Sequence, residues 1–308
     1  MSAPRVESIA CTGPAGIHRM AYYEWGDPDN PDVLLCVHGL TRNGRDFDRI
    51  AERLCGSFRV ICPDVVGRGL SDWLANPAGY QVPQYAADMV TLLGRIQPKS
   101  LNWLGTSMGG LIAMVYSGLV AKAMRGKPPV SRMSASIPEP LVPISRLILN
   151  DVGPRIEPAS LLRIGAYLSE VKNFASYQQA LAYIRDVSTS FGLKTDEQWD
   201  MFARHYFVKQ GGHWIKHYDP AIAVGFTGMP AEAMAKGEQY LWSVFESIQA
   251  PILVLHGEQS DLLTHTSVKR MKDCNPRVSA IDIAGVGHAP SLLNDDEIDH
   301  VEAFLEGP

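Results

Sequence analysis

The pentapeptide Gly105-Thr106-Ser107-Met108-Gly109 carries the clearest chemistry in the chain. It follows the strand-like run Leu101-Asn102-Trp103-Leu104 and precedes a helix-compatible stretch, the setting in which the serine of a G-x-S-x-G motif acts as a nucleophile. A sharp strand-to-helix turn lifts such a serine out of the sheet. The flanking glycines let neighbouring backbone pass close by, and the helix N-terminus faces any negative charge that develops. A serine hydroxyl is a weak nucleophile at neutral pH, so it needs a base, and the base needs a carboxylate to orient it.

Two downstream segments supply candidates. His288 sits in Gly285-Val286-Gly287-His288-Ala289-Pro290, and Asp261 in Gly257-Glu258-Gln259-Ser260-Asp261; each follows a strand-like run. Open α/β sheets place their sites at such carboxyl ends of strands. Asp151, in Asn150-Asp151-Val152-Gly153-Pro154, is a rival carboxylate, with a turn or helix-capping role as its plainer reading.

The elements that must position these residues are legible as an alternation of short β-branched runs with longer amphipathic stretches, which predicts an α/β fold with a mostly parallel sheet. The strand candidates are Val33 to Val37, Phe58 to Cys62, Ser100 to Leu104, Arg146 to Leu149, Pro251 to Leu255 and Val278 to Ile283. Val6 to Cys11 and His18 to Trp25 flank a Thr-Gly-Pro turn and predict an antiparallel hairpin at the sheet edge. Helices are expected over Phe47 to Leu54, Pro83 to Ile96, the stretch after Ser107, and Asp295 to Leu305.

From 153 to 244 the rhythm becomes helical, and more than half of the chain's aromatic residues gather there. This predicts a helical cap inserted into a core made of residues 1–152 and 245–308. Most of its aromatics fill the cap's own core, and a few line an apolar pocket between cap and sheet. The Pro- and Ser-rich stretch from Gly126 to Pro143 reads as an exposed loop.

The order Ser107, Asp261, His288 resembles that of the α/β-hydrolase fold family, and the resemblance extends over nearly the whole chain. His38-Gly39-Leu40 resembles that family's His-Gly oxyanion loop, and Asp64-Val65-Val66-Gly67-Arg68-Gly69-Leu70-Ser71 its D-x-x-G-x-G-x-S segment. The resemblance implies a Ser107, His288, Asp261 triad, with the backbone N–H groups of Leu40 and Met108 as the oxyanion hole. Asp261 is preferred to Asp151 because Gly257-x-x-x-Asp261 matches the usual acid loop, although some members carry the acid at the Asp151 position. His38 reads as an organiser of the oxyanion loop. Gly39, Arg42 and Trp214 are candidate substrate contacts, with pairing to an aspartate as the plainer role of Arg42.

The function implied is that of a serine hydrolase cleaving a small-to-medium carboxylic ester through an acyl-enzyme. Lactonase and C–C bond hydrolase activities are also compatible with a serine at this turn. A non-catalytic ligand-binding module on the same scaffold is a further alternative.

Composition narrows the partners. With 28 Lys and Arg against 33 Asp and Glu the net charge is −5, without the basic footprint of a nucleic-acid binder. No apolar run is long enough to span a bilayer and the N-terminus has no signal-like apolar stretch, so a cytoplasmic protein is expected. It is read as a monomer or homodimer. The five cysteines are scattered and contain no C-x-x-C, which predicts reduced structural thiols. His213 and His217 have helical i, i+4 spacing but lack the glutamate of a zinc peptidase motif, so no metal is expected. Gly285-Val286-Gly287 is only a fragment of a dinucleotide fingerprint, and no cofactor is expected.

Overall fold

Strands covered on both faces must be apolar at nearly every position, and the central strands of this chain are. The computed structural model describes residues 3–14, 16–125, 141–157, 160, 163–165, 168, 170–226 and 230–307. The stretch 126–140, most of the expected Pro- and Ser-rich loop, lies outside them, as does Tyr167, one of the aromatics of the stretch from 153 to 244.

In chain order the strands are β1 (Arg5–Gly13), β2 (Gly16–Trp25), β3 (Asp32–Val37), β4 (Arg59–Pro63), β5 (Ser100–Thr106), β6 (Ile144–Asn150), β7 (Asn173–Phe174), β8 (Phe207–Gln210), β9 (His213–Lys216), β10 (Ile252–Gly257) and β11 (Val278–Ile283). Eight of them form one sheet in the order β1-β2-β4-β3-β5-β6-β10-β11. From β4 to β11 every neighbouring pair is parallel, and the β1–β2 hairpin is antiparallel within itself and to β4.

Alternation along each strand feeds two cores. Val33, Leu35 and Val37 of β3, with Ile252 and Val254 of β10, pack under helices Val82–Ile96 and Met108–Arg125. Leu34, Cys36, Leu253 and Leu255 pack on the opposite face against helices Asp48–Leu54 and Asp295–Glu306. All five cysteines are free thiols, three of them buried in these layers. No described helix is long and apolar enough to cross a membrane.

Between β6 and β10 the chain forms helices Tyr177–Val187, Asp196–Arg204 and Ala231–Ser247. Three short strands accompany them, in the order β7-β9-β8. The helical reading of this stretch overlooked these strands because each has only two to four residues, too few for a period to register. One signal was present: Gly211 and Gly212, both at positive φ (57° and 84°), close the β8–β9 hairpin as a two-glycine turn. His213 therefore lies on a strand, not on a helix face shared with His217. The aromatics here pack mainly on one another. Phe174 meets Tyr183 and Phe207 at ring-centroid distances of 5.2 and 5.5 Å, and Phe202 meets Phe191 at 4.9 Å.

Candidate active site

β5 ends at Thr106 and the following helix begins at Met108, so Ser107 alone must turn the chain. It does so at φ 50°, in the left-handed region that a residue with a Cβ rarely adopts. The turn is held from both sides: Ser107 N–H donates to Asn150 O of β6 (2.9 Å), and Ser107 O accepts from Gly110 N–H (2.9 Å). Its glycines are required by contact. A Cβ at Gly109 would lie 1.9 Å from the Val37 carbonyl oxygen, and one at Gly105 would lie 2.5 Å from the backbone of Gly109 and Gly110.

His288, on the loop after β11, places Nε2 2.9 Å from Ser107 Oγ. Its Nδ1 lies 2.7 Å from Oδ2 of Asp151. A carboxylate only accepts, so in the neutral imidazole Nδ1–H donates to Asp151 and Nε2 is left as the acceptor for the serine hydroxyl. Asp151 follows β6 directly, at φ 54°, and is fully buried. Its N–H donates to Leu255 O of β10 (2.8 Å). Its carboxylate also accepts from Gly257 N–H at Oδ1 (2.8 Å) and from the Ser260 hydroxyl at Oδ2 (2.6 Å). Asn150 Nδ2 donates to Pro290 O (2.9 Å) and to Thr106 Oγ1 (3.1 Å), tying the ends of β5 and β6 to the His288 loop.

This geometry corrects the expectation for Asp261. That side chain is half-exposed and forms a two-pronged ion pair with Arg163, which holds its carboxyl below the usual carboxylate range. No hydrogen bond joins Asp261 to His288 among the described residues. The end of β10 and the loop after it contribute to the site by another route: Gly257 and Ser260 hold the carboxylate that comes from β6. Ser260 and Asn150 had no motif to announce them. Only the placement of Asn150-Asp151 at a strand end could have marked them.

The loop after β3 is organised around His38. Val65 N–H donates to His38 Nε2 (2.9 Å), so Nδ1–H donates to Gly39 O (2.7 Å). Burial pushes the His38 pKa down to about 3, which keeps the ring neutral. Because the peptide is planar and trans, fixing Gly39 O fixes the direction of the Leu40 N–H on the opposite side. Gly39 itself abuts Ser107: a Cβ there would lie 3.8 Å from Ser107 Cβ. In the D-x-x-G-x-G-x-S segment, Asp64 accepts from Gly44 N–H and Leu70 N–H, both at 2.7 Å, and burial raises its pKa to about 6.

Two candidate substrate contacts are engaged elsewhere. Arg42 is buried, bonds Asp46 through Nε (2.7 Å) and Nη2 (2.5 Å), and donates from Nη2 to Phe202 O (2.8 Å) beneath the Phe202 ring. It fastens the loop after β3 to helix Asp196–Arg204 and takes the aspartate-paired role. Trp214 lies on β9 with its ring 5.1 Å from that of Tyr177. Cavities of about 730 and 370 Å³ flank the segment between β6 and β10, and neither is lined by Ser107, Asp151 or His288.

Residues 32–131 match the family model described as alpha/beta hydrolase fold. The chain is 46% identical over 310 residues to a 3-hydroxybutyrate-oligomer hydrolase of Cupriavidus necator, with 99% of each chain covered. Among solved structures it is similar to a putative hydrolase from Rickettsia typhi (33% identity, TM-score 0.82) and to an alpha/beta hydrolase from Novosphingobium aromaticivorans (31% identity, TM-score 0.78), each alignment covering 99% of both chains. Together with the eight-stranded sheet and the strained serine turn, these likenesses make the chain a member of the α/β-hydrolase fold family, a hydrolase.

Proposed function

We propose that this chain is a serine hydrolase that cleaves the ester bonds of short 3-hydroxybutyrate oligomers. One observation carries the reading: Ser107 Oγ, His288 Nε2 and Nδ1, and Asp151 Oδ2 form an unbroken chain of contacts of 2.9 and 2.7 Å, with the serine on a strained turn. The substrate class is supported by the full-length relative that bears that activity in its name. Residues 153–244 serve in this reading as the cap over the site.

The chemistry follows from the geometry. Ser107 Oγ attacks the ester carbonyl carbon as its proton passes to His288 Nε2, and buried Asp151 stabilises the imidazolium. The carbonyl oxygen, now negative, accepts from the Leu40 and Met108 N–H groups; losing one such donor costs about 10² to 10³ in rate. Collapse expels the alkoxide of the departing hydroxyacid, which takes the proton from His288. Water, deprotonated by the same imidazole, then hydrolyses the acyl-enzyme.

The test is the initial rate on 3-hydroxybutyrate dimer and trimer beside a p-nitrophenyl ester series, for the native chain and Ser107→Ala. Oligomer cleavage that falls by about 10⁴ or more in the variant is expected. Retained cleavage in Ser107→Ala would overturn the mechanism. Cleavage of p-nitrophenyl esters alone, dependent on Ser107, would leave the mechanism and overturn the substrate.

A further inference from the structure

Arg68 is fully buried, and among the described residues its partners are uncharged. Nε donates to Leu40 O (2.8 Å), and Nη1 donates to Val66 O (2.7 Å) and Tyr85 Oη (3.0 Å). Nη2 reaches Met108 Sδ at 3.6 Å. The rings of Tyr85 and Tyr80 stand 5.0 and 5.9 Å from Cζ. Among the described residues no carboxylate bonds this guanidinium directly, and one is reached only through Tyr80, whose hydroxyl donates to Asp219 Oδ2 (2.6 Å), so its charge is not neutralised by direct pairing and little water screens it.

Two of its partners are Leu40 and Met108, whose N–H groups the proposed mechanism uses for the oxyanion. One prong of the fork grips Leu40 by its carbonyl, and another rests on the Met108 side chain. The turn that carries Arg68 is itself fixed. Gly67 (φ 86°) and Gly69 (φ 53°) have no room for a Cβ, which would meet the Tyr80 ring at 2.6 Å and the Asp64 carboxylate at 2.1 Å. Gly69 N–H donates to His217 O (3.0 Å), and Asp219 N–H donates to Gly67 O (2.8 Å). The backbone flanking Arg68 is thereby stitched to the chain just after β9.

We propose that Arg68 is a positioning residue for the hydrolytic reaction: it sets the spacing of the two oxyanion donors, and its buried positive charge favours the negative oxygen of the transition state. This rests on the serine-hydrolase reading above. The arrangement acts on a charge that exists only in the transition state, so it bears on kcat and leaves ground-state binding unchanged.

The experiment is steady-state kinetics of the full chain and its Arg68→Met and Arg68→Lys variants on p-nitrophenyl butyrate, with melting curves and inhibition by phenylboronic acid, whose tetrahedral adduct mimics the charged intermediate. For Arg68→Met a fall in kcat of about 10- to 100-fold is expected with KM within twofold, boronate affinity falling in parallel. Arg68→Lys, which keeps the charge but not the fork, should recover part of kcat. A folded Arg68→Met with kcat within threefold of native, or with the loss shared between kcat and KM, would overturn the proposal. If the Met variant does not fold, Arg68→Lys decides: a fivefold or larger fall in kcat at constant KM supports the proposal, and native kcat, or failure of this variant to fold as well, overturns it. Ser107→Ala, run in parallel, separates the two levels. Its inactivity beside an unaffected Arg68→Met would sink only the role of Arg68, whereas its retained turnover would sink the mechanism beneath it.

Discussion

The ends of β6 and β10 each deliver an aspartate to the same rim of the sheet, yet only one has the surroundings of an orienting acid. Asp151 is fully buried, sits at positive φ, and receives an amide N–H, a hydroxyl and an imidazole. Asp261 is half-exposed and paired with Arg163. In water a carboxylate–imidazolium attraction is weak, and in a dry, hydrogen-bonded site it is several times stronger. A strand end brings a carboxylate near, and burial together with donors makes it effective.

The largest effect should come from exchanging the two carboxylates for amides in turn. Asp151→Asn leaves the shape intact but offers the wrong group to His288 Nδ1, and kcat should fall by about 10⁴. Asp261→Asn should leave kcat within twofold of native. Initial rates on any accepted ester check both, and the reverse pattern would restore Asp261 as the acid.

Next is Gly257→Ala. A Cβ there would meet Gly287 O at 2.2 Å and Val286 O at 2.9 Å, backbone that leads straight into His288. The substitution must push apart the strand end that holds Asp151 and the loop that carries His288. A kcat loss of about 10²-fold is expected, with a stability loss of about 1 to 3 kcal/mol measured by urea unfolding. A native rate would mean that the two segments move independently.

Ser260→Ala is milder. It removes one hydroxyl from Asp151 Oδ2 and leaves the Gly257 amide and His288 in place. A hydrogen bond to a charged group contributes about 1.5 to 3 kcal/mol, so a fall in kcat of roughly tenfold with unchanged KM is expected. A loss as large as that of Asp151→Asn would mean that the hydroxyl, not the imidazole, is the carboxylate's main partner.

The same contrast explains how much was legible in the sequence. The α/β sheet was, since β3, β4 and β10 are nearly continuous apolar runs and β5, β6 and β11 are short β-branched or apolar stretches between helical ones. The meeting of Ser107 and His288 was, because a strained turn and a flexed loop require glycines at fixed offsets, and glycines show in a sequence. The carboxylate that meets His288 was not. Spacing selected Asp261, four residues beyond the strand, but what distinguishes Asp151 is burial and the donors around it, contributed by residues more than a hundred positions away in the chain. The strands β7, β8 and β9 escaped for a local reason: they are shorter than one recognisable period.

The smallest effect tests what Asp261 does instead. Arg163 holds its carboxyl below the ordinary range, so the folded chain binds that proton less readily than the unfolded chain. The ion pair's contribution to stability is therefore complete above the ordinary carboxylate pKa of about 3.9 and fades as pH falls through the lower folded value. Both side chains are substantially exposed, so the contribution at neutral pH should stay below about 1 kcal/mol and weaken in salt. Arg163→Ala and Asp261→Asn should each unfold in urea slightly earlier than native at pH 7 and low salt, with the difference shrinking as pH falls below about 3.9 and gone in 1 M sodium chloride. A difference that survived both conditions would point to a desolvated ion pair, and Asp261 would then have more in common with Asp151 than its exposure implies.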